Sequence, residues 1–250
     1  MTLLGAVRAD HGWQRCFALN GLIFIVLCLI GLEVCWPQPP DFALSAEATA
    51  RFYAAHRTGF LTGITLCEVA MAAYVTWTIQ LGAMLWRLDN GSRVKAIAAT
   101  ACGLATPFLL AGDLAVFAVA AYRPTEINPD VTQTLSDIAW IGSELFWPIL
   151  AAEMALIGVI MLASRGREGA FPVWLGWYTL VAALVEPFQA AIIFTKSGPL
   201  APDGLLTWYA AVGTWGLWAA ATSIAMYRQL GVRPAHADQL AAPGRRASAT

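Results

Sequence analysis

Six long runs of hydrophobic residues, parted by short polar stretches, set the pattern of this chain. They cover approximately 17–36, 59–86, 96–122, 135–163, 171–195 and 204–227. Several reach the roughly 20 residues that a helix needs to cross a bilayer. The pattern therefore predicts an all-α polytopic transmembrane bundle of about six spans. The second and fourth runs are longer than a vertical crossing requires, so they are expected to tilt or to project. Arg8 and Arg15 precede the first run in the manner of a secretory signal. That run exceeds a signal core of 7–15 residues, and no small-x-small site follows it, so it reads as an uncleaved first helix.

The polar stretches carry stop and start signals. Trp36-Pro37-Gln38-Pro39-Pro40 ends the first helix, because proline lacks the N–H that a helix interior needs. Ser45 can then cap a short interfacial helix near 45–57, with Phe52 and Tyr53 as interfacial anchors. Asn128-Pro129-Asp130 reads as a turn, and Asp130 with Gln133 has capping-box-like spacing. Ser197 to Gly204 reads as a plain turn. Residues 1–228 form one domain on this reading. The tail 229–250, rich in Ala, Pro and Arg without apolar period, is expected to be disordered.

Composition sharpens the class. Charged residues are 12% of the chain and hydrophobic residues 58%, whereas a soluble domain carries about 25% charged residues. Many of the 11 Trp fall near the ends of runs, where amphipathic rings favour the headgroup layer. The lipid bilayer is thus the first partner. A net charge of −1 gives no reason to expect nucleic acid. Cys16, Cys28, Cys35, Cys67 and Cys102 form no C-x-x-C pair and read as small buried hydrophobes.

Lys and Arg divide unevenly between alternating loops. Eleven lie in the N-terminus, in 87–95, in 164–170 and in the C-terminus, against four (Arg51, Arg57, Arg123 and Lys196) on the other side. The positive-inside rule then places both termini in the cytoplasm of a bacterial inner-membrane protein.

The chemistry lies in acids within the runs: Glu33, Glu68, Asp113, Glu144, Glu153 and Glu186, with Asp137 near a rim. A charge at a helix centre costs about 2.5–3.5 kcal/mol on insertion scales, so such acids are expected to face the bundle interior or water. Glu68, Asp113, Glu144 and Glu186 each lie nine residues from the outer end of their run, a depth of roughly 13–14 Å. Glu33 lies above them. Asp137 and Glu144, seven apart, share one face of the fourth helix, while Glu153 is half a turn out of phase and is assigned to another contact. Pro107, Pro148 and Pro187 lie near these acids, where kinks can open a cavity. The functional reading is an outward-facing acidic pocket for a proton, a metal cation or a cationic small molecule. The competing reading is structural, with carboxyls bonded to partners such as Thr62, Tyr74, Thr106, Ser143 and Gln189.

His11, His56 and His236 are the three histidines, none inside a run. No haem, nucleotide or structural zinc site is expected. His56-Arg57 stands at a helix mouth, where it can meet an anion or lipid headgroup, or simply anchor the helix. No G-x-S-x-G, Walker or H-E-x-x-H motif occurs.

The WP-x-PP segment at Trp36–Pro40, the FY-x-x-HRTG segment at Phe52–Gly59, Ala121-Tyr122-Arg123-Pro124 and Lys196-Ser197-Gly198-Pro199 resemble an uncharacterised group of bacterial, largely actinobacterial, multi-pass proteins. The resemblance implies a six-span inner-membrane protein and carries no established activity.

Three functions stay open on sequence. The leading one is an ion- or proton-coupled transporter or small-molecule permease using the acidic layer. The second is a non-enzymatic accessory subunit or lipid-binding protein. The third is a membrane enzyme acting on a lipid.

Overall fold

A computed structural model describes residues 3–35, 42–202 and 204–231, with the backbone alone for 3–10. The Trp36–Pro40 stop, Asp203 and the tail beyond Gly231 lie outside the described residues. The described chain is helical, in the order α1 (Leu3–Leu29), α2 (Ala46–Leu88), α3 (Val94–Tyr122), α4 (Pro129–Leu145), α5 (Trp147–Ala163), α6 (Val173–Val185) and α7 (Gly213–Gly231). Three irregular pieces extend these helices. A π-helical turn, Ile30–Cys35, ends α1; a 3-10 segment, Glu186–Ile193, continues α6; another π-helical turn, Leu205–Val212, leads into α7.

Five segments are long and apolar enough to cross a membrane: His11–Cys35, Ala46–Leu88, Val94–Tyr122, Pro129–Ala163 and Val173–Ile193. The expected sixth, Leu205–Gly231, is helical throughout but falls short in apolarity. Trp208, Tyr209, Thr214, Trp215, Gly216 and Trp218 dilute it. Such a helix needs the others around it, and α7 packs on α1 and α6.

The separate interfacial helix near 45–57 is not found. No proline falls between Ser45 and Leu88, so α2 runs through 43 residues without interruption. At 1.5 Å per residue it is about 65 Å long, roughly twice the hydrocarbon thickness. Ser45 is its N-cap, accepting from the Ala48 N–H at 3.4 Å. Tyr53 is fully buried rather than interfacial, its hydroxyl 2.9 Å from the Ser136 hydroxyl of α4. Asp130–Gln133 is no capping box either. The Asn128 side chain caps α4 by accepting from the Asp130 N–H, and Gln133 donates to the Leu44 carbonyl.

Close helix approach rests on small residues, as expected where lipid tails are as apolar as Leu. A Cβ on Gly31 would lie 2.7 Å from the Gly63 carbonyl oxygen, so α2 touches the end of α1 backbone to backbone. Interhelical hydrogen bonds add to this: Asn20 donates to Thr76 at 2.6 Å, Tyr178 to the Thr214 carbonyl at 3.0 Å, and Trp218 to Thr179 at 3.1 Å. Tryptophan serves two purposes. Trp13, Trp86, Trp174 and Trp177 are exposed, whereas Trp77, Trp140 and Trp218 fill the centre.

At the end of the bundle bearing the 89–93 turn, Asp89 joins α2 to α3. It binds Lys95 at 2.7 Å and accepts from the Ala96 N–H at 3.2 Å. Burial alone would raise the Asp89 carboxyl. Lys95 and the Ala96 N–H outweigh it and hold the group below its ordinary range.

Candidate functional site

Proline decides where the acids go. Pro148 has no N–H to give the Glu144 carbonyl, and the fourth span breaks at Phe146 into α4 and α5. Pro187 follows Glu186, the first residue beyond α6, and the chain tightens there into the 3-10 segment. These breaks lie beside two of the buried carboxylates.

Glu144, Glu153 and Glu186 are 1%, 0% and 0% exposed. Glu186 lies within electrostatic reach of both Glu144 and Glu153. Glu153, half a turn of phase from Glu144, keeps a contact of its own against Gly103 of α3. Tyr74 of α2 supplies its partner, the hydroxyl lying 3.3 and 3.2 Å from the two Glu153 oxygens. Both Glu186 oxygens, Glu144 Oε2 and Gln189 Oε1 have no hydrogen-bond partner among the described residues.

The other acids lie elsewhere. Asp113 is half-buried against Gly142 across the α3–α4 seam. Gly142 is two residues from Glu144, about 200° round α4, so Asp113 meets the other face of that helix. Glu68 is half-buried beside Cys67. Asp137 is half-buried near the rim, within electrostatic reach of Lys196. The level of four carboxylates inferred from counting thus resolves into a pair, Glu144 and Glu186, with Glu68 and Asp113 on other surfaces. Among the described residues, no group of three or more His, Cys, Asp or Glu is arranged to hold a metal ion.

Beside the pair lies a cavity of about 430 Å³. Its walls come from every span and are mainly apolar and aromatic, with Ser143, Glu144 and Gln189 as inner polar groups and Glu33 as an exposed one. Each irregular backbone segment contributes: Glu33 from the first π-helical turn, Phe146 from the break, Gln189 from the 3-10 segment and Trp208 from the second π-helical turn. Non-helical backbone at membrane depth is tolerated where it is buried or lines a cavity. The expectation of an outward-facing acidic pocket meets a mainly apolar chamber whose lining carries two carboxylates, Glu33 and Glu144.

His56 and Arg57 are engaged locally. Arg57 Nε donates to the Tyr122 carbonyl at 2.9 Å, closing the end of α3, and His56 lies 3.0 Å from the Phe52 carbonyl with its ring tilted against that of Phe52. Neither contributes to the cavity wall. Tyr74 and Gln189 were legible only as generic partners, because a hydroxyl or amide in a span has many uses. No family model, curated protein or solved structure matches this chain, so its chemistry is argued from these residues alone.

Proposed function

We propose that this is a carrier of the bacterial cytoplasmic membrane, N- and C-termini inside, that moves a small organic solute in step with protonation of the Glu144–Glu186 pair. The observation that carries this reading is the pair Glu144 and Glu186, buried beside an apolar cavity with carboxylate oxygens left unpartnered. A structural carboxyl would be paired, as Glu153 is with Tyr74, since buried polar groups are normally satisfied. An unpaired one at membrane depth favours proton binding, and such residues mark proton relays and solute pathways. Broken helices around a central chamber are the backbone form that transporters use. The eleven-to-four split of Lys and Arg supports the orientation.

The test is solute-evoked proton movement in liposomes holding a trapped pH dye and purified protein. Cationic, neutral and anionic organic probes are added outside. The expected result is proton flux with at least one class, absent from Glu186→Gln protein that keeps wild-type helicity and melting. If wild type, variant and empty liposomes respond alike to every class, the carrier reading is lost. The chamber would then be read as a lipid-holding site of an accessory subunit.

A further inference from the structure

The cavity has a side entrance. Of its lining residues, Leu29 and Glu33 near the end of α1, and Tyr209, Gly213 and Leu217 in the last helical run, are exposed. These flank a gap between α1 and the last run. Below it the two helices meet tightly: a side chain on Gly21 would collide with Ser223 of α7 and Trp77 of α2. The far side of α1 is held to α2 at Gly31–Gly63. The opening therefore faces sideways, with Leu29 six residues and Glu33 two residues inside the end of the first span, so its deeper edge meets lipid chains and its upper edge the headgroup layer.

The wall chemistry selects what enters. Glu33 stands at the mouth and Glu144 deeper on the wall, and among the described residues no Lys or Arg lines the cavity. Aromatic rings surround the space, with Phe24 and Trp215 centroids 5.1 Å apart, Phe146 and Trp215 6.5 Å, and Trp140 and Trp208 5.3 Å. Ring faces attract organic cations, most strongly when desolvated. Two carboxylates repel an anion, and a neutral lipid would leave Glu144 unanswered. A hydrated inorganic ion would not cross the lipid-facing mouth.

We propose that this cavity takes an amphiphilic organic cation, entering sideways from the bilayer between α1 and the last helix and setting its charge against Glu144. The proposal rests on the carrier reading and names the solute class for the same chamber. Leu29 and Leu217 flank its apolar body, Glu33 draws the charge to the mouth, and the aromatic wall holds it while Glu144 answers it.

Tritiated tetraphenylphosphonium is the probe, measured against protein in lipid nanodiscs with empty nanodiscs as background. Saturable binding is expected, weakened on the order of tenfold or more by Glu144→Gln and restored in part by Glu144→Asp. Tetraphenylborate, the same shape with opposite charge, should fail to compete. Gly213→Leu, at a position with open space around the new Cβ, should slow loading from lipid. A second readout needs no variant: the probe should protect Glu144 of the wild-type protein from dicyclohexylcarbodiimide, read by mass spectrometry. Equal binding to folded Glu144→Gln, equal competition by tetraphenylborate, or unprotected Glu144 would overturn the proposal. Proton flux evoked by another solute class, with no phosphonium binding, rejects the cation and keeps the carrier. Phosphonium binding at Glu144 without flux keeps the ligand class and rejects the carrier.

Discussion

Tyr74 and Glu153 should behave as one unit, and a double-mutant cycle measures it. Tyr74→Phe removes only the hydroxyl that lies 3.3 and 3.2 Å from the two Glu153 oxygens. The ring keeps its neighbours Phe24, Trp77 and Trp215 at 4.9, 5.2 and 5.8 Å, so packing is little disturbed. What is lost is one hydrogen bond in a site where both residues are fully buried. Interhelical hydrogen bonds in membranes average about 0.6 kcal/mol and reach about 1.7. Leaving a buried group unsatisfied costs about 1–3 kcal/mol. The expected loss is therefore about 1–2 kcal/mol. Glu153→Met keeps the unbranched shape against Gly103 and strands the Tyr74 hydroxyl instead, at similar cost. The double variant strands neither group, since replacing both partners by apolar groups can be nearly neutral. It should cost at least about 0.5 kcal/mol less than the two singles added together. The assay is reversible unfolding in mixed micelles titrated with sodium dodecyl sulfate and followed by helicity. Strict additivity would refute the reasoning, because the hydroxyl and carboxyl would then not be partners.

Three further outcomes follow from the same structure. Gly31→Val must move the Gly63 backbone or Cys67 and should cost about 1–3 kcal/mol by overpacking, whereas Gly213→Ala, with open space around it, should leave the melting temperature almost unchanged. Asp89 has a carboxyl lowered in the folded state, so its stabilisation is complete above the unfolded value of about 3.9. It is lost as pH falls through the lower folded value; Asp89→Asn should flatten this acid limb of a melting-temperature profile, and an unchanged limb would contradict the ion pair with Lys95. For orientation, Ser197→Cys in a cysteine-free background should react with an impermeant thiol reagent outside intact cells and Ser92→Cys only after lysis, and the reverse pattern would invert the topology.

The membrane class, five of the spans and the placing of Glu144 and Glu186 in the interior could be read from sequence. Insertion into a bilayer is a sum over one segment, and a run such as 96–122 carries that sum in its own residues. Caps are equally local, which is why Ser45 could be read. The sixth run already shows the limit, since its Trp and Gly residues make its place depend on α1 and α6 beside it. Tertiary structure alone decided the rest. Glu186 comes within electrostatic reach of Glu144 because the 3-10 segment packs on α4, and no count of residues along either span supplies that approach. Glu68 and Asp113, matched to Glu144 in depth, face other surfaces because depth leaves rotation free. The 430 Å³ cavity belongs to no segment. Its walls come from every span, a relation among packed helices rather than a property of any one stretch of chain.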